Sequence, residues 1–416
     1  MVSGERAFSP PMPAAKEKQA GLSREETKMK YLQGTPKRYL FDGCKMFWYE
    51  DRIKDFMDGK RVMPATIDMG IHKGCNMRCI FCYGTYQKPS QDYIPTEKLI
   101  EVAEDAGKCG IKGIAIIGDG EPCMNPGLYP FVEKLTACGV ESAVATNGLL
   151  LDDAKTDILT KNCTWLRFNI CGVGDGYRRI HKGVPEGSFE RIKGIIEHAV
   201  KNKGNCTIGL QMVLVPECFD QVIPLSQLGI DLGVDYVQIK QFSDAGAGMP
   251  MHFDLEKYRD VEEDLKKAEA MSTPATEIVI KWKGIEDSTN ITMKKQWDFD
   301  RCIDLPFLFQ MSGNGKCYPC GYLFNHDQYC YGDVTKERLI DILNSEKYWG
   351  IVKRIAKTPL EKLCKGQCRH SQSLRFLDRF TKAYKGDMKE TMTELCGSPE
   401  QYKLLKEQPP EHLAFL

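Results

Sequence analysis

Between Ala65 and Lys240, short apolar runs alternate with longer stretches whose apolar residues recur every three or four positions. The first pattern predicts buried strands and the second amphipathic helices. Strands are expected at Thr66–Ile71, Gly113–Ile117, Ser142–Ala145, Trp165–Ile170, Thr207–Val215 and Tyr236–Lys240. Pro95-Thr96 opens a helix through Leu99, Ile100, Val102 and Ala103 that ends near Gly107. Further helices are expected at Leu128–Leu135, about Asp152–Leu159, Phe189–Val200 and Gln221–Leu232. Apolar strands separated by helices imply a parallel sheet buried on both faces. Six such units, not eight, predict an α/β fold, an open, partial (β/α)6 barrel of the TIM type. Function in barrels gathers at the C-terminal ends of the strands.

The flanks differ in character. Residues 1 to about 36 are rich in Pro, Ala, Lys and Glu and read as a flexible N-terminal segment. Residues 37–64 carry aromatics and a helical period around Tyr49–Met57. They are expected to form a lead-in on one end of a barrel spanning 65–250, too short for an independent peptide-binding domain. Residues 251–300 read as a polar linker or insert with a helix near Leu255–Ala270. Beyond them Cys302, Cys317, Cys320, Cys330, Cys364 and Cys368 crowd together, predicting a small second domain over 301–372. Residues 373–416 are expected to form a helix and an extended tail.

Charge narrows the function class. Lys plus Arg and Asp plus Glu both number 57, so the formal net charge is zero. That balance gives no support to nucleic-acid or membrane binding as the main role. The chain has no apolar run long enough to span a bilayer and no apolar signal core at its start. Eighteen cysteines without a secretion signal point to a reducing cytoplasm and to metal rather than disulfides.

The densest chemistry is Gly74-Cys75-Asn76-Met77-Arg78-Cys79-Ile80-Phe81-Cys82-Tyr83, directly after the first predicted strand. Three thiolates at C-x3-C-x2-C can hold three corners of a cubic iron–sulfur cluster, leaving one iron open to a further ligand. A zinc site is the competing reading, because C-x2-C is common in zinc ribbons. Tetrahedral structural zinc wants a closed set of four, which this loop lacks. The spacing, with an aromatic residue before the third cysteine, resembles that of the radical S-adenosylmethionine (SAM) superfamily. The resemblance implies a [4Fe–4S] cluster on Cys75, Cys79 and Cys82 whose open iron chelates SAM. It also implies reductive cleavage of SAM to a 5′-deoxyadenosyl radical, with an external one-electron reductant such as flavodoxin or ferredoxin.

Other motifs extend the resemblance. Gly118-Asp119-Gly120-Glu121-Pro122 ends the second strand and is similar to the family's GGEP turn, with Asp119 in place of the first glycine. By that likeness Gly120, Glu121 and Pro122 bind SAM. Asn147, in a Thr-Asn-Gly turn, is either an ordinary turn residue or part of the SAM face. Asn169 and Gln211 are polar residues in apolar strands, and buried polar groups need partners. The SAM ribose and carboxylate are candidates, against ordinary barrel hydrogen bonds. Ile239 and Lys240 lie near where the family holds adenine or carboxylate groups, and Lys240 is equally readable as half of an ion pair. Arg167, Arg178, Arg179, His181 and Lys182 are either solvated charges or anchors for an anionic substrate. His72 reads as packing.

Cys302, Gly315 and Cys320 stand at the spacing that opens the auxiliary-cluster domain called SPASM, and Cys364-x3-Cys368 resembles part of its second half. The shortfall implies the shorter twitch form with one auxiliary [4Fe–4S] cluster on Cys302, Cys320, Cys364 and Cys368. Cys317 and Cys330 are surplus, able to replace one of the four or to serve a second cluster. The resemblance therefore implies an enzyme that removes hydrogen from an unactivated carbon. Oxidation follows if the auxiliary cluster accepts an electron, and epimerisation if a thiol returns hydrogen. Cys171 and Cys218 are the candidate donors, against a role as small core residues. A carbohydrate-like small molecule is the expected substrate and a ribosomally made peptide the alternative; a non-enzymatic electron carrier would not use the Gly-Glu-Pro turn.

Overall fold

A computed structural model describes residues 28–416 except 36, 42, 244–248, 250, 295–296, 365–367 and the side chains of 289–294. Most of the expected N-terminal segment, residues 1–27, lies outside the described residues. The strands in chain order are β1 (Thr66–Met69), β2 (Arg78–Cys79), β3 (Gly113–Ile116) and β4 (Glu141–Thr146). They continue as β5 (Cys163–Asn169), β6 (His181–Lys182), β7 (Thr207–Leu214) and β8 (Tyr236–Gln241). The last four are β9 (Glu277–Ile280), β10 (Leu308–Met311), β11 (Lys316–Tyr318) and β12 (Gly332–Asp333).

The six predicted strands are present within a residue or two as β1, β3, β4, β5, β7 and β8, all parallel in that order. Each central strand is bonded on both sides, and the helices between them cover one face of the sheet. Helix Ser188–Asn202 is typical of these covers. It buries Phe189, Ile192, Ile195, Ile196 and Ala199, an apolar stripe at helical spacing.

Two further parallel strands extend the run of six predicted ones. β9 adds in parallel to β8, and β10 adds in parallel to β1 on the opposite side. The open sheet has ten strands in the order β12-β11-β10-β1-β3-β4-β5-β7-β8-β9. The cysteine-rich C-terminal segment thus begins inside the barrel sheet. β9 is only four residues in a polar stretch, so it carries little signal of its own. β10 becomes a parallel strand only through its contact with β1.

Two arginines, each bonded to a buried carboxylate, tie later helices to earlier ones. Arg338, leading into helix Leu339–Asn344, makes a two-point bond to buried Asp105 at 2.9 and 2.6 Å. Arg375, 5 % exposed, bonds Asp287 and Asp298 and ties helix Ser371–Ala383 to helix Trp282–Lys294. The expected lead-in is a helix, Glu50–Met57, with Phe56 packed on Phe307 at 5.4 Å. Among the described residues no helix is long and apolar enough to cross a membrane.

The extended tail has a destination. Ala414 and Phe415 enter the lower mouth of the barrel and pack with Ala115, Ala143 and Trp165. Thr66 Oγ1 donates to the Ala414 carbonyl at 2.8 Å, and Phe415 meets Trp165 edge-on at 5.6 Å. Replacing Phe415 with Ala is expected to cost about 3 kcal/mol of stability, as for other buried aromatic truncations. Anaerobic urea unfolding measures it, and a loss below about 1 kcal/mol would mean the plug is not part of the core.

Candidate active site

The cysteine loop leaves β1 at the C-terminal end of the sheet, and three features shape it. Gly74 donates its N–H to His72 Nδ1 at 2.8 Å, and its carbonyl accepts from Glu121 N–H at 2.8 Å. Cys79 sits on the β2–β6 ribbon, opposite His181. The thiols of Cys75, Cys79 and Cys82 are close enough for each to feel another's charge. Cys75 stands exposed on the loop, while burial, then the charges of Cys82 and Cys75, pushes Cys79 well above the ordinary thiol range. Such a thiol ionises readily only against a compensating positive charge, which a metal centre supplies.

His181 is not the substrate anchor that its basic surroundings in the sequence allow. It is fully buried against Cys79, its Nδ1 at 3.0 Å from the sulfur. Its Nε2 accepts the Cys171 backbone N–H at 3.0 Å, so the ring proton belongs on Nδ1, pointing at the thiol. Burial pushes His181 down to about 3, which keeps the imidazole neutral.

The turn after β3 packs directly on this loop. A Cβ on Gly120 would overlap the His72 and Gly74 carbonyls, and one on Gly118 would overlap Gly70 Cα. Only glycine permits so close an approach. Glu121 is buried, and its carboxylate accepts from Thr146 Oγ1 at 2.5 Å and Asn147 N–H at 2.9 Å. Its side chain is a strut to the end of β4, so what the turn offers a ligand is backbone. Pro122 starts the short 3-10 turn that follows and is buried. Asn147 reaches back to Asn76 Oδ1 at 2.7 Å and lies 3.9 Å from Cys75 sulfur. The unexpected Asp119 is also a strut, accepting from Ser312 Oγ at 2.6 Å and Gly313 N–H at 2.8 Å just past β10.

On the inner wall, Asn169, Gln211, Gln238 and Lys240 share the concave face with Arg167. Among the described residues the Gln211 amide has no hydrogen-bond partner. Ile239 is a correction: strand alternation turns its side chain to the helix-covered face, and its carbonyl accepts Lys281 N–H at 2.9 Å. Cys171 and Cys218 are a second correction as hydrogen donors. Both are completely buried, one sulfur accepting Val213 N–H at 3.3 Å and the other bonded to the Val215 backbone. Arg178, Arg179 and Lys182 face outward, with Arg179 paired to Asp220. His72 packs on Tyr93, as expected.

The second cysteine group divides. Cys302, Cys320, Cys364 and Cys368 lie near enough to act on one another's ionisation, although among the described residues no three such side chains are yet close enough to grip a metal ion. Cys317 is fully buried beside Cys330, and the two form a separate pair. Burial pushes Cys320 up to about 12, with Cys364 adding to it. His370, two residues past Cys368, is locked by Asp304 at 3.1 Å and Gln310 at 3.3 Å. The loops carrying the two groups pack together. Tyr83, next to Cys82, meets Tyr322, two residues past Cys320, edge-on at 5.6 Å. Lys73 Nζ bridges the Gln87 carbonyl at 3.0 Å and Asn325 Oδ1 at 3.3 Å across the same junction.

Residues 69–225 match the family described as the Radical SAM superfamily, and residues 305–369 the one described as an iron–sulfur cluster-binding domain, SPASM. The chain belongs to the radical SAM superfamily. Its cofactors are a [4Fe–4S] cluster, SAM and an auxiliary iron–sulfur cluster.

Among relatives of this radical SAM protein is the S-adenosylmethionine-dependent nucleotide dehydratase of Flammeovirga pacifica. It is 26% identical over 136 residues, 31% of this chain and 45% of the relative. A probable GTP 3',8-cyclase of Archaeoglobus fulgidus is 26% identical over 154 residues, 36% of this chain and 48% of the relative. The chain thus spans about half the length of these relatives. Streptococcus suis SuiB bound to SAM shares the fold at TM-score 0.55 and 15% identity, covering 70% of this chain and 68% of that one. The anSMEcpe protein with bound AdoMet shares it at TM-score 0.53 and 16% identity, covering 83% and 99%.

The donor chemistry fits these cofactors: thiolates are the ligands that iron–sulfur clusters require. A hydrogen bond to a ligand sulfur stabilises the more reduced, more negative cluster. Replacing His181 with Ala is expected to lower the midpoint potential of the SAM-binding cluster by about 60 mV, the one-electron equivalent of about 1.4 kcal/mol. Potentiometry followed by electron paramagnetic resonance reads it. An unchanged potential in a variant with full iron content would rule the bond out as a tuning device.

Proposed function

We propose that this radical SAM enzyme is an oxidoreductase that takes hydrogen from a sugar-containing small molecule and completes a two-electron oxidation. Cys75, Cys79 and Cys82 hold the catalytic cluster in this reading, and Cys302, Cys320, Cys364 and Cys368 the auxiliary one. The carrying observation is that four thiols near enough to act on one another's ionisation sit on a segment packed against the first loop through Tyr83 and Tyr322. When bound, SAM and the first cluster supply a carbon-centred oxidant that takes a hydrogen atom, and the auxiliary cluster an acceptor for the second electron. One further proton must leave the substrate for the oxidation to balance.

The chain's own residues arrange this. His181 holds a neutral N–H on Cys79, Glu121 and Asn147 fix the turn that faces the loop, and Asn169 and Gln211 present amides from the inner wall. Oxidation is favoured over epimerisation because Cys171 and Cys218 have their sulfurs bonded into the core. The relatives named for nucleotide and GTP chemistry support a small molecule containing a sugar. SuiB has been crystallised with its precursor peptide SuiA, which keeps peptide modification as the second reading. An external one-electron reductant completes the cycle.

Two measurements test the assignment. Replacing Cys75, Cys79 and Cys82 together with Ala is expected to abolish 5′-deoxyadenosine release from SAM under dithionite. It should also lower iron from about eight to about four per chain. SAM cleavage by that variant would sink the cluster assignment. Mass spectrometry of the product in deuterated buffer separates the outcomes. Loss of two hydrogens is expected, whereas an unchanged formula with one deuterium would mean epimerisation.

A further inference from the structure

The inner wall of the barrel gathers positive charge. Arg167 faces inward from β5, its guanidinium 4.8 Å over the Trp165 ring and Nη1 3.5 Å from Gln238 on β8. Lys240 lies two residues beyond Gln238 on the same face. Lys281 follows β9 at the next register step, opposite Lys240. Arg369 enters from beside Cys368, but its charge is engaged by Asp68 at 3.2 Å, with the Leu416 carbonyl at 2.9 Å.

Neither Arg167 nor Lys240 forms an ion pair among the described residues. Arg167 Nε is buried without a hydrogen-bond partner. Burial, then Arg167, Lys281 and Arg369 in turn, depress Lys240 to about 7. Like charges gathered on one partly buried wall repel one another unless an anion joins them. The wall also presents the Gln211 and Asn169 amides, and the tail residues Ala414 and Phe415 close the mouth below.

We infer that Arg167 and Lys240, with Lys281 beside them, bind an oxyanion of the substrate, a phosphate or a carboxylate. A guanidinium fork and a compact ammonium on one wall suit such a group. The inference rests on the radical SAM reading only in taking the barrel interior as the place where substrate meets SAM.

The test is calorimetry on the anaerobic, cluster-loaded enzyme with SAM present, using pyrophosphate and tricarballylate as separate probes. At least one is expected to bind, and R167K and K240Q each to weaken it about tenfold. Arg178→Gln, which removes an outward-facing cation, is expected to leave probe binding within about twofold. Which probe binds tells phosphate from carboxylate. Binding of neither, or equal weakening by Arg178→Gln, overturns the inference. So does a loss of SAM affinity in R167K and K240Q as large as the loss of probe affinity, because the cations would then serve SAM itself. If either variant loses iron or fails to fold, R167Q or K240R replaces it under the same criteria. Absence of SAM cleavage in the wild type would instead strike the radical SAM reading and leave the binding result to stand alone.

Discussion

Three turns meet at the C-terminal edge of β10, β1 and β3, and the site depends on how closely their backbones approach. Asp119 is the centre of that meeting. Its carboxylate, withdrawn from water, takes a hydroxyl from Ser312 and an N–H from Gly313, with Lys73 3.9 Å away. Burial raises its proton affinity, and those three partners work against the rise. A Cβ at Gly118, Gly120 or Gly313 would strike backbone across the junction. The contact fixes the cysteine loop, the Gly-Glu-Pro turn and the start of the cysteine-rich segment as one unit.

From that junction the two thiol groups inherit their relation. The loop after Cys82 cannot shift without moving Tyr322, and Lys73 grips both sides. Two cofactor sites on a common rigid base suit electron transfer between them better than two domains joined by a linker. Continuity of the sheet through β1 and β10 serves the same end.

Polar side chains inside the barrel are of two kinds. Some are spent on structure: Glu121 on Thr146 and Asn147, Asp68 on Arg369, His370 on Asp304 and Gln310. Others have no structural partner among the described residues, among them the Gln211 amide and Arg167 Nε. Polar groups left open on the inner wall of the barrel are where ligand contacts are to be sought.

Periodicity alone located six strands and their helices, because a strand buried on both faces needs a near-continuous apolar run and a covering helix needs only a stripe. Cysteine spacing located the first thiol group, because it is written on one short loop, whereas the second, spread from Cys302 to Cys368, was legible only through its resemblance to the auxiliary-cluster pattern. What the sequence could not assign was partnership across the fold. β10 joins β1 through contacts between residues far apart in the chain, and the extended tail becomes core only because Trp165 awaits it. Along the chain His181 is one more charge in a basic loop; the β2–β6 ribbon sets it against Cys79. Ile239 and Lys240 are indistinguishable as neighbours in a strand. Alternation across the sheet, fixed by pairing with β7, turns one to the helices and the other to the barrel interior. Chemistry that resides in neighbouring residues was legible from the chain; chemistry that needs two distant strands at one distance was decided by the tertiary structure.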